Sequence, residues 1–412
     1  MTRRVAVTGL GTVSPLGNNV RETWNNLIAG RSGIGTITRF DATPYSIRIA
    51  GEVKDFQPEK IINGKEIRHM SLATQYALHA VSEAVQDAGL EVTDENRERI
   101  GVVFGSAVGG IDSLLEQQTV LDSRGPRRVS PFFLPNMLVD SPSGHIAIRY
   151  GVQGPNFAVV SACATGGNTI GEAFEIIRRG DADVMIAGGT DAVLQPVILS
   201  GFISMRALAS NNEQPEAACC PFDARRDGFI LAEGAAVLIL EDWDHARQRG
   251  ANIYAEMIGY GAGNDAYHMA TPADRGSGAA RVMKAALDKA RLDPTEVGYI
   301  NAHGSSTPLN DKLETEAIKT IFGDHAYRLQ VSSTKSMLGH MMGAAGAVEA
   351  IACVQALKNQ ILPPTINYQV PDPDCDLDYV PNEARQVDFE VAMSNSIGLG
   401  GHNSCVVFRK VS

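Results

Sequence analysis

Short runs rich in apolar and β-branched residues alternate along the chain with helical patterns, and this alternation limits the fold more than any other feature. The runs include IGVVFGSA, FAVVSA, ADVMIAGG, GAAVLILE, VGYINAHG, LQVSST and NSCVVFRK. Between such runs, apolar residues recur at three- and four-residue spacing over 71–88, 168–179, 279–291 and 343–358, which predicts helices there. Strands that alternate with helices predict an α/β protein.

Two stretches of the chain, 159–180 and 331–360, follow one plan. Each has a β run, a serine with a small polar step, a glycine-rich turn and an alanine-rich helix. A duplicated unit explains this, and its two turns would converge where the halves meet. A common α/β unit used twice by chance is an equal alternative. Because 412 residues exceed the usual size of one core, we expect two domains, 1–250 and 251–412.

Composition narrows the class of protein. Apolar residues make up 44% and charged residues 20%, as in globular proteins, and no apolar stretch is long enough to span a bilayer. The start, MTRRVAVTGLG, lacks the apolar core of a signal peptide, so we expect a cytoplasmic protein without a membrane partner. The net charge of −11 argues against nucleic-acid binding. The six cysteines show no CxxC spacing, which supports neither a zinc site nor a disulfide framework.

Reactive side chains and a glycine-rich segment follow four of the β runs. They are Cys163 in SACATGG, His303 in NAHGSSTPLND, Lys335 and His340 in SSTKSMLGHMMGAAG, and the segment NSIGLGGHN. A cysteine on a sharp strand-to-helix turn lies at the positive end of a helix, which favours the thiolate. Histidines at neighbouring strand ends can donate to an oxyanion, as can the backbone N–H groups of GLGG.

These patterns leave alternatives open. Free cysteine is among the most buried residue types, so Cys163 can also be a small core residue. The segment GLGGHN is not GxGxxG, and no nucleotide site follows from it. Spacing alone supports a cysteine acyltransferase or hydrolase, with a non-catalytic binding protein as the other candidate.

Four motifs in order, SACATG, NAHGSSTPLND, STKSMLGHMMGAAGAVE and NSIGLGGHN, resemble the active-site motifs of the condensing β-ketoacyl-[acyl-carrier-protein] synthases, most closely the synthase II group of bacterial fatty-acid synthesis. The resemblance runs from VAVTGLG to VVFRK, essentially the whole chain. It implies a thiolase-like fold, with two duplicated βαβαβ-type halves in five αβαβα layers, and a homodimer. It also implies acyl carrier protein as the partner, in its acyl and malonyl forms, and no cofactor.

The same resemblance implies how the reactive residues would act. Cys163 would take the acyl chain as a thioester, and a decarboxylated malonyl unit would attack that thioester. His303 and His340 would donate to the enolate oxygen, while the N–H groups of Cys163 and Leu399 would bind the acyl-enzyme oxyanion. Leu399 stands where the family usually has a phenylalanine that gates the acyl pocket, and we expect a gate that closes less completely.

Further roles follow from the resemblance alone. Lys335 would pair with Glu349, Asp311 or Glu314, either as a plain salt bridge or with a direct catalytic role. The remaining assignments are pantetheine contact for Thr307, the acyl pocket for Val108 and Phe202, carrier docking for Lys65, Arg68, Arg127, Arg128 and Arg206, and a structural monovalent cation near Asn301, Glu349, Ser394 and Asn395.

Two rival functions remain at this point. A discrete ketosynthase of a polyketide or specialised lipid pathway would share the cysteine and both histidines. A non-condensing subunit, such as a chain-length factor, usually lacks the cysteine, so the presence of Cys163 argues against it.

Overall fold

The computed structural model describes residues 2–411, which contain fourteen strands and thirteen α-helices. The strands are β1 (Val5–Val13), β2 (Ile34–Thr36), β3 (Ile49–Gly51), β4 (Ile100–Gly105), β5 (Asn156–Phe157), β6 (Val184–Asp191), β7 (Gly234–Asp242), β8 (Ala255–Asn264), β9 (Tyr299–Asn301), β10 (Gln330–Ser332), β11 (Ile361–Leu362), β12 (Arg385–Gln386), β13 (Val391–Gly398) and β14 (His402–Lys410). The helices are α1 (Val20–Ile28), α2 (Gly64–Ile67), α3 (Leu72–Ala88), α4 (Ile111–Arg124), α5 (Phe133–Met137), α6 (Ser141–Tyr150), α7 (Thr165–Arg179), α8 (Pro196–Ser204), α9 (Trp243–Gln248), α10 (Ser277–Ala290), α11 (Pro308–Phe322), α12 (Lys335–Leu338) and α13 (Ala345–Asn359). Within residues 2–411, none of these helices has the length and apolar content needed to cross a bilayer.

Ten strands form one sheet, and their order repeats on either side of its centre. The order is β10-β9-β13-β14-β8-β1-β7-β6-β4-β5. From the centre outward, the N-terminal half has the order β1, β7, β6, β4, β5, and the C-terminal half has the order β8, β14, β13, β9, β10. In both halves the first strand of the half is innermost and its last strand is next to it. β1 and β8 join the halves as antiparallel neighbours over the short segment 5–7. This repeated order confirms the duplication predicted from the two similar stretches.

The helices form three layers around the two halves of the sheet. On the outer faces, α3 packs on β1 and β7, and α10 packs on β8 and β14. Between the halves, α7 and α13 pack against each other, and each contacts strands of both halves. Their close approach requires glycine, because a Cβ on Gly166 would lie 2.6 Å from the backbone nitrogen of Ala347. The result is the predicted five-layered αβαβα arrangement.

The predicted elements are present, with two differences at their ends. All four predicted helices form, but α7 begins at Thr165, three residues before the predicted start. The run FAVVSA yields strand only at its first residue, because β5 pairs with β4 only at Asn156 and Phe157 before the chain leaves the sheet. Since α7 and α13 contact both halves, a division into separate domains at residue 250 stays a prediction.

Candidate active site

Cys163 lies in a tight turn directly before α7. The 3-10 turn Ala162–Ala164 leads into the helix, and Ala162 has a φ of 51°, which is uncommon for a residue other than glycine. The Ser161 N–H donates to Thr165 Oγ1 at 2.9 Å and so holds the turn. Cys163 is only 6% exposed and lines a cavity of about 490 Å³. The sequence-predicted strand-to-helix turn therefore places the thiol at a cavity.

The thiol is largely protonated in this environment. Burial raises the pKa of Cys163 to about 11, although the Leu399 N–H, the charge of Lys335 and the N–H of Cys163 itself lower it. The donors at this turn favour the thiolate, as expected, but desolvation of the charge outweighs them in the free site. The two N–H groups that act on the sulfur are those predicted for the oxyanion hole.

Two histidines line the same cavity, each with a fixed tautomer. The rings of His303 and His340 lie 5.3 Å apart between centroids, at 84°. Lys335 Nζ lies 3.4 Å from His303 Nδ1, and the Met342 N–H donates to His340 Nδ1 at 3.3 Å. Because Nδ1 accepts in both rings, Nε2 carries the hydrogen in both. The His340 Nε2 is buried and has no hydrogen-bond partner within residues 2–411, so its N–H is free to donate.

Both imidazoles are neutral at physiological pH. Burial lowers the pKa of His303 and of His340 well below the usual value, and the charge of Lys335 lowers each further. Phe229 packs edge-on against His340 at 5.3 Å between ring centroids, which fixes the ring plane. Neutral rings with Nε2–H groups are hydrogen-bond donors and poor bases.

Lys335 is buried beneath the histidines. Its Nζ donates to the His303 carbonyl oxygen at 2.8 Å and forms an ion pair with Glu349. Both charged side chains are at most 2% exposed. Burial raises the pKa of Glu349 to about 7, although Lys335 lowers it. Of the three carboxylates predicted as partners of Lys335, Glu349 is the one that pairs with it.

The other two carboxylates, Glu314 and Asp311, hold backbone loops. Glu314 accepts the N–H of His303 at 2.9 Å and that of the next residue at 2.8 Å. Asp311 accepts the Phe222 N–H at 2.9 Å. Their predicted pairing with Lys335 is therefore wrong, because both carboxylates of α11 accept hydrogen bonds from peptide groups and from neighbouring amide side chains. They instead fix the loop that carries His303.

The predicted substrate-binding residues divide into two groups. Phe202, Thr307 and Leu399 line the cavity with Cys163. Val108 does not line it and instead packs in the apolar cluster that includes Cys163 and Met342. Val108 therefore belongs to the apolar cluster beside the cavity and not to the cavity lining.

The predicted carrier-docking residues are all exposed. Arg206 lies at the rim of the cavity, and the others lie on α2, just after it, or in the 3-10 turn Pro126–Arg128. The exposed set is Lys65, Arg68, Arg127, Arg128 and Arg206. In the described part of the chain none of them pairs with an acidic side chain, which leaves their charge available to a partner.

Four buried side-chain oxygens at the predicted cation position lack hydrogen-bond partners within the described residues. They are Asn301 Oδ1, Glu349 Oε2, Ser394 Oγ and Asn395 Oδ1. Ser394 lies opposite Asn301 on the paired strands β13 and β9, and α13, which carries Glu349, packs on both. Carboxylate, amide and hydroxyl oxygens are ligands for hard cations. The side chains of Asn301, Ser394 and Glu349 therefore fit a bound alkali cation. Asn395 follows Ser394 on β13, so its side chain points to the opposite face of the sheet, where its Nδ2 donates to Glu314 at 3.3 Å.

Sequence reasoning missed three residues that shape the site. Phe229 packs on His340, and the N–H of Met342 fixes its tautomer. Asp191, at the end of β6, is a buried carboxylate close enough to act on the Cys163 pKa. Only Asp191 has a sequence signal, an acidic residue two positions after the apolar run ADVMIAGG.

Comparison with known proteins gives matches over nearly the whole chain. The family described as "Beta-ketoacyl synthase, N-terminal domain" matches residues 2–246, and "Beta-ketoacyl synthase, C-terminal domain" matches residues 254–369. A 3-oxoacyl-[acyl-carrier-protein] synthase 2 of Staphylococcus aureus (strain N315) is 51% identical over 408 residues, covering 99% of this chain and 98% of the relative. The enzyme of that name from Coxiella burnetii (strain RSA 493) is 48% identical, covering 99% of each chain.

Solved structures of related proteins also match the chain over its full length. A type II polyketide synthase acyl-carrier protein in complex with its ketosynthase matches with a TM-score of 0.92 at 38% identity, over 100% of both chains. A β-ketoacyl synthase from Burkholderia phymatum STM815 also has a TM-score of 0.92, at 35% identity over 100% of both chains. The cysteine turn, the two Nε2–H donors and these matches over the full length lead to one conclusion: the chain belongs to the β-ketoacyl synthase family.

Proposed function

We propose that the protein is a 3-oxoacyl-[acyl-carrier-protein] synthase that elongates fatty acyl chains by decarboxylative condensation with malonyl carrier. One observation carries the proposal. A buried thiol with two backbone N–H groups faces the same cavity as two neutral histidines that present Nε2–H donors. Such a cavity offers a nucleophile and two separate places for negative charge, as a two-step acyl transfer requires.

The first step transfers the acyl group to Cys163. Its sulfur attacks the carbonyl carbon of the carrier thioester, and the N–H groups of Cys163 and Leu399 receive the charge on the carbonyl oxygen. The bond between that carbon and the carrier sulfur then breaks. The proton of the Cys163 thiol leaves with the carrier thiol, so the step is balanced without a cofactor.

The second step forms the new carbon–carbon bond. The malonyl carboxylate leaves as carbon dioxide, and its bonding pair becomes an enolate whose oxygen accepts from the Nε2–H groups of His303 and His340. The enolate carbon attacks the acyl thioester, the bond to Cys163 breaks, and the released thiolate takes up a proton. The product is a 3-ketoacyl carrier two carbons longer.

One variant separates these steps. Intact-protein mass spectrometry with acyl carrier should add one acyl group to the parental protein and none to Cys163→Ala. That variant should still decarboxylate malonyl carrier, because both histidine donors remain. Cys163→Ala that elongates chains at the parental rate would refute the proposal.

The partner is an acyl carrier protein that docks on the exposed cations. Carrier proteins of this kind are acidic, and Arg68 and Arg128 have no acidic neighbour to neutralise them in the described chain. Arg68→Glu and Arg128→Glu should raise the KM for carrier-bound substrate in a salt-sensitive way and leave small acyl thioesters unaffected. Arg21→Glu, exposed on α1 and not part of the cavity lining, is the control. An unchanged KM would remove both arginines from the docking surface.

A discrete polyketide ketosynthase is the second candidate. It is favoured by the TM-score of 0.92 to a type II polyketide synthase complex, but identity there is 38%, against 51% for the Staphylococcus aureus relative. A competition assay distinguishes the fatty-acid function from the polyketide function. It offers the protein saturated acyl carriers of graded length together with a 3-ketoacyl carrier. Elongation of the 3-ketoacyl carrier in preference to saturated chains would favour the polyketide function.

We also propose a homodimer in which a second copy covers the β5 edge of the sheet. Large apolar side chains around this edge are exposed, including Leu134 at 62% and Ile148 at 82%. β5 has β4 as its one strand partner in the described sheet. Ile148→Asp should shift sedimentation toward the monomer, while Val370→Asp, an exposed apolar position in the C-terminal half, should not. Equal sedimentation of all three proteins would contradict this interface.

The side chains of Asn301, Glu349 and Ser394 would hold a monovalent cation that stabilises the joint between β9, β13 and α13. Potassium or sodium should then raise Tm above its value in tetramethylammonium at equal ionic strength, and Ser394→Ala should remove the difference. An equal Tm in all three salts would contradict the site. The cytoplasmic location stays a prediction.

A further inference from the structure

The two central helices begin with turns of the same shape, but only one of these turns carries the nucleophile. The 3-10 turn Ala162–Ala164 precedes α7, and the 3-10 turn Met342–Ala344 precedes α13. Their first residues have nearly equal positive φ values, 51° for Ala162 and 49° for Met342. The repeated sheet order relates the two turns by the duplication, so Gly343 is the counterpart of Cys163.

The counterpart turn already holds an anion, which the protein itself supplies. The Gly343 N–H donates to Asp191 Oδ2 at 2.6 Å. A Cβ on Gly343 would lie 2.6 Å from that oxygen, so glycine is required for this contact. In the N-terminal half, the N–H of Cys163 is left for the oxygen of a substrate. In the C-terminal half, Asp191 fills the equivalent position.

Asp191 also binds the loop that follows β4. Oδ1 accepts the Ser106 hydroxyl at 2.6 Å and the Val108 N–H at 3.3 Å, and Oδ2 accepts the Ala107 N–H at 3.1 Å. With Gly343, four donors therefore surround one carboxylate that has no exposed surface. Burial raises the pKa of Asp191 to about 6, although these donors lower it, so the group is ionised at neutral pH. Hydrogen bonds to an ionised acceptor are the strong ones.

Of the two segments that Asp191 joins, one lines the reaction cavity through Met342 and the other packs beside it. Val108 packs in the cluster that contains Cys163 and Met342. On the other side, Met342 directly precedes Gly343, and its N–H is the donor that fixes the His340 tautomer. A shift of the Gly343 turn would therefore move that donor, and a shift of the Val108 loop would move the wall of the cavity.

We propose that Asp191 is a positioning residue for the condensation. It binds the Val108 loop, beside the cavity wall, to the Gly343 turn, which orients His340, and so fixes the position of one relative to the other. The inference rests on the proposed function. Asp191 touches neither substrate nor the reacting atoms, and it acts through Val108 and Gly343. A displacement of about 1 Å in a positioning group far from the chemistry can cost about a hundredfold in rate.

Asp191→Asn is the first test, since it keeps the size and removes the charge. An amide has one acceptor oxygen, so in the variant its NH₂ group must face either the Val108 loop or the Gly343 N–H, both of which are donors. We expect kcat for malonyl decarboxylation to fall about tenfold to a hundredfold, with KM for malonyl carrier within about twofold. Asp183→Asn is the matched control, because Asp183 precedes the opposite end of β6 and pairs with Arg3 and Arg99. It should leave both constants unchanged.

Ser106→Ala provides a second test if Asp191→Asn does not fold. It removes one donor on the Val108 side and keeps the charge of Asp191. We expect the acyl-length preference, as a ratio of kcat/KM values for long and short chains, to change about threefold or more, while malonyl decarboxylation stays within about twofold. An unchanged ratio would overturn the role at the cavity wall. Parental kcat in Asp191→Asn would overturn the role at His340.

The results that would overturn the role of Asp191 differ from those that would refute the proposed condensing function. A parental protein that forms no 3-ketoacyl carrier from acyl and malonyl carriers refutes the condensing function. A parental protein that condenses, together with an Asp191→Asn protein that matches it in both half-reactions, refutes the inference on Asp191 alone.

Discussion

Replacing His340 by alanine should separate the two half-reactions. The change removes the Nε2–H donor but keeps the backbone bonds that hold this segment, His340 N–H to Ile230 O at 2.7 Å and Ala232 N–H to His340 O at 2.9 Å. The turn therefore stays in place. Loss of one preorganised donor costs about 10²–10³ in rate, or about 2.7–4 kcal/mol in transition-state stabilisation. The Met342 N–H also loses its acceptor, so the variant removes the Nε2–H donor together with the bond that fixes its tautomer.

Malonyl decarboxylation by His340→Ala should accordingly fall about 10²–10³-fold, measured as carbon dioxide released from malonyl carrier. Acylation of Cys163, measured by intact-protein mass spectrometry, should fall less than about tenfold, because its oxyanion is held by backbone N–H groups. Phe229→Leu is the control, since it removes ring packing on His340 without removing the donor. Equal losses in both half-reactions would refute the division of roles.

The protonation of the two rings provides an independent check on the same donors. Burial lowers the pKa of both His303 and His340, so each ring is neutral above its lowered pKa and gains a proton only as the pH falls through it. Neither ring should therefore titrate between about pH 6 and pH 8 when its carbon-bound protons are followed by NMR. A ring that titrates with a midpoint near the ordinary histidine pKa of about 6.5 would show that it is not desolvated.

Three further outcomes follow from the site. Because burial raises the pKa of Cys163 to about 11, its alkylation rate by iodoacetamide should rise about tenfold for each pH unit between about pH 7 and pH 10, and a plateau near pH 8.5 would contradict this. Leu399→Phe should reduce malonyl decarboxylation that is not coupled to condensation and narrow the range of accepted acyl chains, and no change in either would reject the incomplete gate. Lys335→Met should lower the free energy of unfolding, measured by urea titration, by about 3–5 kcal/mol, because it leaves Glu349 buried without its partner. The double variant with Glu349→Leu should recover most of this loss, and additive losses would contradict a coupled pair.

Local patterns in the sequence were sufficient for much of the fold. The apolar spacing over 71–88 predicts α3, and the structure adds its caps, with Ser71 accepting the Thr74 N–H and Gly89 in the left-handed conformation. The similarity of 159–180 to 331–360 predicts the duplication. The run FAVVSA did not predict how short β5 is, because strand length depends on a partner that the segment itself does not specify.

The chemical state of the site could not be predicted in the same way. The thiol pKa depends on burial among groups such as Leu399 and Lys335, which are more than 170 residues from Cys163 in sequence. The choice of Glu349 as the partner of Lys335 depends on peptide groups that occupy the competing carboxylates of α11. Residue types indicate which groups can react, whereas desolvation and tertiary contacts decide their protonation.

The fixed tautomers of the two histidines also explain how an acyl thioester on Cys163 can persist in a protein that contains water. Hydrolysis of the thioester needs a nearby base that takes a proton from the attacking water. In His303 and His340 the basic Nδ1 is engaged by Lys335 and by the Met342 N–H, and the Nε2 atom carries hydrogen. Water at the thioester would therefore find donors but no acceptor strong enough to activate it. The same hydrogen bonds that prepare the cavity for an enolate thus protect the bound chain from premature release.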